Sequence, residues 1–146
     1  MTDATNIRYL TGFVGNESRD AYVLVTKKAT YIFTSQLYPQ WLKKQTASDL
    51  LGIEINYENK LSARILEIAQ KEKLATIGFE ETDLTVGEMR NLKKKLDSST
   101  SLRSAQNDRE KIVLKSTKNL IEDLRMIKDT QEIVSTRKAA MLTDKT

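Results

Sequence analysis

The 146-residue chain contains no histidine and no cysteine, and only one proline. Imidazole is the commonest general base near neutral pH and a frequent metal ligand, so the absence of histidine excludes Ser-His-Asp, Cys-His and His-ligated zinc sites. The absence of cysteine excludes disulfides and thiolate metal sites, as expected in a reducing compartment. A site built from carboxylates remains possible, since the chain has 20 acidic residues.

Long apolar runs are also absent. No stretch approaches the roughly 20 apolar residues that cross a bilayer, and the polar segment Met1–Asn6 is unlike a signal peptide. A hydrophobic fraction of 39% is enough for the core of a single domain at this length. These features predict a soluble cytoplasmic domain with no membrane partner.

Charges of both signs are interspersed along the chain, which carries 24 basic and 20 acidic residues. The lysine runs Lys43–Lys44 and Lys93–Lys95 would attract nucleic acid through phosphate contacts. Solvated helix faces are the favoured interpretation, because acidic residues lie among the basic ones. A small basic nucleic-acid-binding module stays an alternative, and it predicts steeply salt-dependent binding.

Some acidic residues occur in adjacent pairs, as in Glu80–Glu81 and Glu122–Asp123. Neighbours on one helix or strand point in different directions and do not converge on a metal ion. A surface role is therefore predicted for these acids. The sequence assigns no catalytic, cofactor-binding or metal-ligating residue to the chain.

Residue patterns predict a β-hairpin followed by a helix. The runs Tyr22–Thr26 and Thr30–Thr34 are rich in β-branched and aromatic residues, which is typical of antiparallel strands, although no glycine lies in the turn between them. A helix is predicted over Leu37–Thr46, with Pro39 in its first turn, where a missing N–H costs little.

The middle of the chain alternates between strand and helix patterns. Alternating apolar residues over Ile53–Tyr57 predict a half-buried strand, and the apolar face of Leu61–Ala69 predicts a helix. Ala75–Phe79 is short and apolar enough to form an inner strand. The segment Thr85–Glu88 has the form of a capping box and predicts the start of a second helix.

A strand and a helix are predicted after a polar segment. Residues Ser98–Glu110 are rich in serine and charge and predict a loop before the strand Lys111–Lys115. Ser116 or Thr117 is predicted to cap a helix over Leu120–Ile127.

A further helix is predicted to begin near Thr130. The segment Asp129–Glu132 has the form of a capping box, in which an acceptor side chain and a glutamate three residues later satisfy each other's backbone donors. Arg125 and Lys128 lie near the end of the preceding helix, where cations complement the negative helix terminus. Both are expected to have a structural role, and both could also pair with acids of a following domain.

Three segments resemble motifs of the creatinase, prolidase and Xaa-Pro aminopeptidase family. Leu120–Ile133 with Arg137–Ala140 resembles L-x-x-L-R-x-I-K-(D/S)-x-x-E-I-x-x-x-R-K-A, and Asn6–Phe13 resembles N-x-x-Y-L-T-G-F. The third segment is Ile77–Glu80, which precedes a predicted helix. The three segments occur in the family's order and span nearly the whole chain.

The resemblance implies a ribonuclease H-like α/β domain, with a mixed β-sheet flanked by helices. Residues 1–128 would form the creatinase/prolidase N-terminal domain, and residues 129–146 would form the truncated first helix of a pita-bread catalytic domain. In the family a helix and an apolar strand precede the motif that begins at Asn6. The first helix and strand of the domain are therefore expected to be missing.

The function that the resemblance implies is a non-catalytic one within a larger peptidase. The parent would be a metal-dependent Xaa-Pro aminopeptidase or dipeptidase, a hydrolase with two divalent ions, manganese or cobalt, in its catalytic domain. This chain itself would bind no cofactor. It would mediate subunit association in a homodimer, contact its own catalytic domain and shape access for short Xaa-Pro peptides.

Two alternatives within the family stay open. The parent could be a creatinase-like amidinohydrolase, or a non-catalytic relative that binds other proteins. For this chain itself, neither nucleic acid nor a membrane is expected as a partner.

Overall fold

Helices and strands alternate along the part of the chain that the computed structural model describes, namely residues 1–15, 20–35, 38, 53–55, 61–101 and 112–143. Ten elements lie in these residues. They are α1 (Ala4–Thr11), β1 (Ala21–Val25), β2 (Thr30–Thr34), β3 (Ile53–Ile55), α2 (Leu61–Glu72), β4 (Thr76–Glu80), α3 (Val86–Ser101), β5 (Val113–Thr117), α4 (Leu120–Met126) and α5 (Thr130–Thr143).

The predicted hairpin is confirmed, and its turn needs no glycine. Strands β1 and β2 pair antiparallel, with Ala21 opposite Thr34 and Val25 opposite Thr30. In the turn, the Thr26 hydroxyl accepts hydrogen bonds from the backbone N–H groups of Lys28 and Ala29, at 3.1 and 3.0 Å. A threonine side chain that bonds to nearby backbone groups can support a turn in this way.

The described strands form two sheets. The first has the order β1-β2-β3, and the β2–β3 pair is parallel. In the second, β4 pairs parallel with β5. The prediction of a mixed sheet flanked by helices is confirmed, since the first sheet contains both antiparallel and parallel pairs. The division into two sheets was not predicted.

The core lies on both sheets and on the helices that cover them. Ile7, Phe13, Val23, Ile32 and Phe33 are each at most 3% exposed. Additional buried side chains come from α2, β4 and α3, which contribute Ile68, Ala69, Ile77 and Leu96. The apolar face that predicted α2 therefore packs inward.

Helix α1 was missed by the sequence patterns. The Asp3 carboxylate accepts a hydrogen bond from the Asn6 backbone N–H at 2.7 Å and caps the helix at its start. Gly12 ends the helix with a φ of 71°, in the left-handed region that favours glycine, and its N–H bonds to the Arg8 carbonyl. An N-cap aspartate and a C-terminal glycine bracket this helix, and these two signals were available in the sequence.

The residue that precedes α4 is not one of the two predicted to cap it. Strand β5 ends at Thr117, two residues later than predicted, and Thr117 donates a hydrogen bond from its hydroxyl to the Phe79 carbonyl at 2.9 Å. The residue that precedes α4 is Asn119, which has a φ of 55° and makes no side-chain capping bond. The prediction that Ser116 or Thr117 caps α4 was wrong, because both residues belong to β5, in which Ser116 pairs with Phe79 and Thr117 pairs with Glu80.

Two further predictions concern segments that lie partly outside the described residues. The predicted helix over Leu37–Thr46 lies outside them, apart from Tyr38. Helix α3 runs to Ser101, so the predicted loop from Ser98 begins too early, and residues 102–111 lie outside the described part. None of the helices in the described part of the chain is long and apolar enough to cross a membrane.

Candidate domain junction

The Asn6 side chain connects three elements, α1, β4 and α4. Asn6 is fully buried, and its Nδ2 donates hydrogen bonds to Glu80 Oε1 and Glu122 Oε1, each at 2.8 Å. Its Oδ1 accepts a hydrogen bond from Arg125 Nη1 at 2.9 Å. Since all polar atoms of the amide take part, the side chain is held in one orientation. We call these four residues the Asn6 cluster.

Local structure places each member of the cluster. The Asp3 cap sets Asn6 in the first turn of α1, and Glu80 is the last residue of β4. Glu122 and Arg125 are three residues apart on α4, a spacing that puts two side chains on the same helix face. The cluster therefore joins α1, β4 and α4.

The Glu80 carboxylate also binds the start of the chain. Its Oε2 accepts hydrogen bonds from the backbone N–H groups of Thr2 and Asp3, at 2.6 and 3.0 Å. Thr2 is buried, with 6% of its surface exposed. Two buried or half-buried backbone donors are thus satisfied by a side chain that β4 supplies.

Hydrogen bonding favours the charged form of Glu122. The Asn6 amide lowers the pKa of Glu122 below its ordinary value, and backbone N–H groups at the start of α4 and the Arg125 guanidinium act in the same direction. The first turn of a helix stabilises a carboxylate for the same reason. Glu122 and Arg125 therefore meet Asn6 as a charged pair.

The predicted surface role was wrong for Glu80 and Glu122. Each is half-buried and accepts hydrogen bonds within the domain, whereas their neighbours Glu81 and Asp123 are exposed. The physical reason is that adjacent residues point in different directions, so one member of each pair faces inward. The two inward-facing carboxylates come from different pairs and meet only in the folded chain.

Arg125 makes a structural contact that was not predicted. Its guanidinium donates a hydrogen bond to Asn6 Oδ1 within the same domain, and a contact with acids of a following domain stays a prediction. Lys128 Nζ donates to the Arg125 carbonyl, which agrees with the prediction that a cation complements the end of this helix.

The described residues do not fit a two-metal site. They contain no group of three or more aspartate, glutamate, histidine or cysteine side chains that could hold a metal ion. At the Asn6 cluster the two carboxylates face amide N–H groups, and a guanidinium lies beside them. These side chains form an internal anchor.

An apolar surface lies directly after this anchor. Helix α5 has no buried residue, and its start is fixed by the predicted capping box, in which Asp129 and Glu132 exchange backbone hydrogen bonds at 2.9 and 2.8 Å. Eight large apolar side chains of α4, α5 and the link between them are 40 to 81% exposed. We call this set the junction surface: Leu120, Leu124, Met126, Ile127, Ile133, Val134, Met141 and Leu142.

The fold and the junction define a class of protein, an α/β domain in which an anchored helix is followed by an exposed one. The sequence profile of the Creatinase/Prolidase N-terminal domain family matches residues 1–127. The chain belongs to this family. The match ends where α4 passes into the link before α5, close to the boundary predicted at residue 128.

Solved structures share the fold. The X-Pro aminopeptidase from Thermotoga maritima MSB8 is 17% identical, with a TM-score of 0.73 over 99% of this chain and 36% of that chain. The Xaa-Pro dipeptidase from Bacillus anthracis is 22% identical, with a TM-score of 0.68 over 90% of this chain and 32% of that one. This chain spans about a third of the length of these two proteins.

A separately solved domain also matches. The N-terminal domain of the cytoplasmic peptidase PepQ from Mycobacterium tuberculosis H37Rv is 23% identical, with a TM-score of 0.65 over 86% of this chain and 84% of that chain. The comparison with curated protein sequences gave no match.

The role of Asn6 was missed from the sequence. Two of the quoted motifs contain its partners, since Ile77–Glu80 ends in Glu80 and the junction motif includes Arg125. Nothing in their periodicity indicates that the two segments meet at one asparagine. The available signal was an asparagine three residues after an N-cap aspartate, in a segment rich in apolar residues.

Proposed function

We propose that this chain is the non-catalytic N-terminal domain of a metal-dependent Xaa-Pro aminopeptidase or dipeptidase. In that protein it contacts its own catalytic domain, associates subunits into a homodimer and shapes access for short Xaa-Pro peptides. The proposal includes a cytoplasmic location and excludes nucleic acid as a partner.

The junction surface is the observation that carries the proposal. Eight large apolar side chains within residues 120–142 are exposed. Exposed apolar surface beyond what single scattered residues give commonly marks interaction sites. Ile127 is 81% exposed and lies immediately after the helix that the Asn6 cluster holds. A second domain that follows α5 would cover this surface.

Family membership and the names of the similar structures support the peptidase assignment. The matching solved proteins are an aminopeptidase, a dipeptidase and a peptidase domain. Two of them are about three times as long as this chain, so the parent has room for a catalytic domain. The two divalent ions of that domain would activate the water that attacks the peptide bond before proline.

The coding sequence around this chain and the complete protein supply the test. We expect the reading frame to continue past Thr146 into a domain with spaced aspartates, glutamates and a histidine. The complete protein, supplied with manganese or cobalt, should hydrolyse short peptides with proline in second position, while residues 1–146 alone should not. A complete protein that hydrolyses creatine, or that lacks the acidic residues and turns over neither substrate, would contradict the proposal and support an alternative family member.

A matched pair of variants tests the docking role. In the complete protein, Ile127→Ser should weaken docking and lower the melting temperature without changing metal content. Val86→Ser is the control, because Val86 is 60% exposed on α3 and lies outside the junction surface. Equal effects of the two variants would show that the junction surface has no special role.

A further inference from the structure

We propose that the Asn6 cluster is a coupling device, which makes α4 and the Thr2–Asp3 segment gain and lose their attachment to the domain together. The two sheets stay folded when it opens. Glu80 and Asn6 transmit the change, because each has a planar polar group that binds a partner at either end. This inference does not depend on the proposed function.

The first part of the argument is the way in which α4 is attached. No residue of α4 is buried, and Leu124 and Met126 are 55% and 71% exposed. The helix is bound to α1 through Asn6, which accepts from Arg125 and donates to Glu122, at 2.9 and 2.8 Å. Elements with few buried apolar contacts open at a lower free energy than core strands. Helix α4 can therefore detach while the sheets stay intact.

The second part is the way in which the Thr2–Asp3 segment is attached. Its two backbone N–H groups donate to Glu80 Oε2, at 2.6 and 3.0 Å, and the Thr2 hydroxyl donates to the same oxygen at 3.4 Å. On one side of the segment Met1 pairs with Val23 of β1, and on the other side the chain enters α1. Between these two fixed points, the Glu80 carboxylate holds the backbone of the segment.

The third part is the link between the two attachments. Glu80 Oε1 accepts from Asn6 Nδ2 at 2.8 Å, while Oε2 of the same carboxylate binds the Thr2–Asp3 segment. A carboxylate is planar and rigid, so a rotation that breaks the bond at one oxygen displaces the other. The Asn6 amide is planar in the same way. A change at α4 is therefore passed on to the Thr2–Asp3 segment, since hydrogen bonds in such networks strengthen one another.

The charge on Arg125 strengthens the coupling. The Oε1 atoms of Glu80 and Glu122 both lie 2.8 Å from one nitrogen, so the two carboxylates are close neighbours. The Arg125 guanidinium binds the other end of the same amide and offsets their repulsion. Without this cation the amide would no longer hold both carboxylates. Removal of the guanidinium should therefore loosen the contacts of Glu80, although the hydrogen bond of Arg125 goes to Asn6.

Hydrogen exchange of the 146-residue protein tests the coupling. Arg125→Ala should speed exchange at the Asp3 amide and in α4 by about fivefold or more, the lower end of the usual coupling between two sites. Amides between β1 and β2 should change by less than about twofold, because the sheets stay folded. Leu124→Ala is the matched control, since Leu124 lies next to Arg125 but is exposed and outside the cluster. It should leave the Asp3 amide unchanged.

Two further variants test the charge and the route. Arg125→Lys keeps the charge but loses the planar donor, so it should give a smaller acceleration in the same two places. This milder variant also provides the test if Arg125→Ala fails to fold. In Asn6→Ala the Asp3 amide should already exchange quickly, and the addition of Arg125→Ala should bring no further increase there.

Each of three results would overturn the inference. The first is faster exchange in α4 with an unchanged Asp3 amide, in either Arg125 variant, because the two segments would then open independently. The second is an equal acceleration between β1 and β2, which would show a loss of overall stability. The third is a further increase at Asp3 when Arg125→Ala is added to Asn6→Ala, because the coupling would then bypass Asn6.

Discussion

At the scale of single residues, Asn6 connects parts of the chain that are far apart in sequence. Glu80 lies 74 residues further along, and Glu122 lies 116 residues further along. The amide serves both carboxylates through Nδ2 and the guanidinium through Oδ1. A neutral side chain with both donors and an acceptor is the type that can satisfy this mixture of partners.

Asn6→Ala should lower the free energy of unfolding by roughly 2 to 3 kcal/mol, because it removes three hydrogen bonds to charged groups and leaves buried space. Urea unfolding measures this change. Thr5→Ala is the control, since Thr5 is exposed on the same helix, and it should change stability by less than about 0.5 kcal/mol. A loss for Asn6→Ala as small as that of the control would show that the cluster contributes little to stability.

Glu122 should make stability depend on pH. Its pKa is lowered in the folded protein, so its contribution is present above the ordinary value of 4.5 and is lost as pH falls through the lower folded value. Urea midpoints measured between roughly pH 3 and 6 should decline toward the acid end. Glu122→Gln still accepts the Asn6 hydrogen bond but does not titrate, so its decline should be shallower.

The comparison between the two proteins is needed because Glu72 titrates in the same range. The Tyr31 hydroxyl bonds to Glu72 and lowers its pKa. That contribution is common to both proteins and cancels in the difference. Identical pH profiles would show that Glu122 does not couple to folding.

At the scale of secondary-structure elements, two capping boxes illustrate how packing decides how much such a motif contributes to the stability of the domain. Thr85 and Glu88 exchange backbone bonds at the start of α3, and Asp129 and Glu132 do so at the start of α5. Both motifs were predicted from sequence, and both are confirmed. Helix α3 carries the buried Leu96, whereas α5 has no buried residue.

The same type of substitution should therefore have different effects at the two caps. Thr85→Ala should lower the free energy of unfolding by about 1 kcal/mol, because α3 is part of the core. Asp129→Ala should leave that quantity unchanged and speed hydrogen exchange in the first turn of α5. Chemical unfolding and hydrogen exchange of both variants measure these effects.

Ser135→Ala provides a control on α5 outside its first turn. Its exchange should match that of the unsubstituted protein. A loss of overall stability for Asp129→Ala that matches the loss for Thr85→Ala would contradict the idea that α5 folds without support from the core.

At the scale of the whole molecule, the boundary predicted at residue 128 would separate the domain from α5, in which no residue is buried. The last helix inside the boundary, α4, is held by the Asn6 cluster. Helix α5 follows after a short link and contributes only exposed or half-buried residues. Stability should therefore depend on α4 and not on α5.

Removal of residues 129–146 should leave the melting temperature within about 2 °C of the original value, because no residue of α5 is buried. Removal of residues 120–146 should lower it markedly, because Glu122 and Arg125 are lost with α4. Differential scanning calorimetry measures both effects. If removal of residues 129–146 already abolished the cooperative transition, the domain boundary would have to be placed at the end of α5.

Local patterns predicted most elements because they depend on neighbouring residues. The hairpin, α2, α3 and the start of α5 follow from β-branched runs, an apolar helical face and capping boxes. Errors arose where a distant partner decided the outcome. Strand β5 extends to Thr117 because it pairs with Glu80. Helix α1 is a different case, because its local signals, the Asp3 cap and Gly12, were available in the sequence and were missed.

The sequence by itself determined the class of fold, the family resemblance and the lack of histidine and thiolate chemistry, because these depend on residue types and on short-range spacing. Only the tertiary structure decided that Glu80, Glu122 and Arg125 meet at Asn6, and that β1 and β4 face one cleft across two sheets. Hydrogen bonds between residues more than 70 positions apart depend on how the elements pack. No local pattern in the chain encodes that packing.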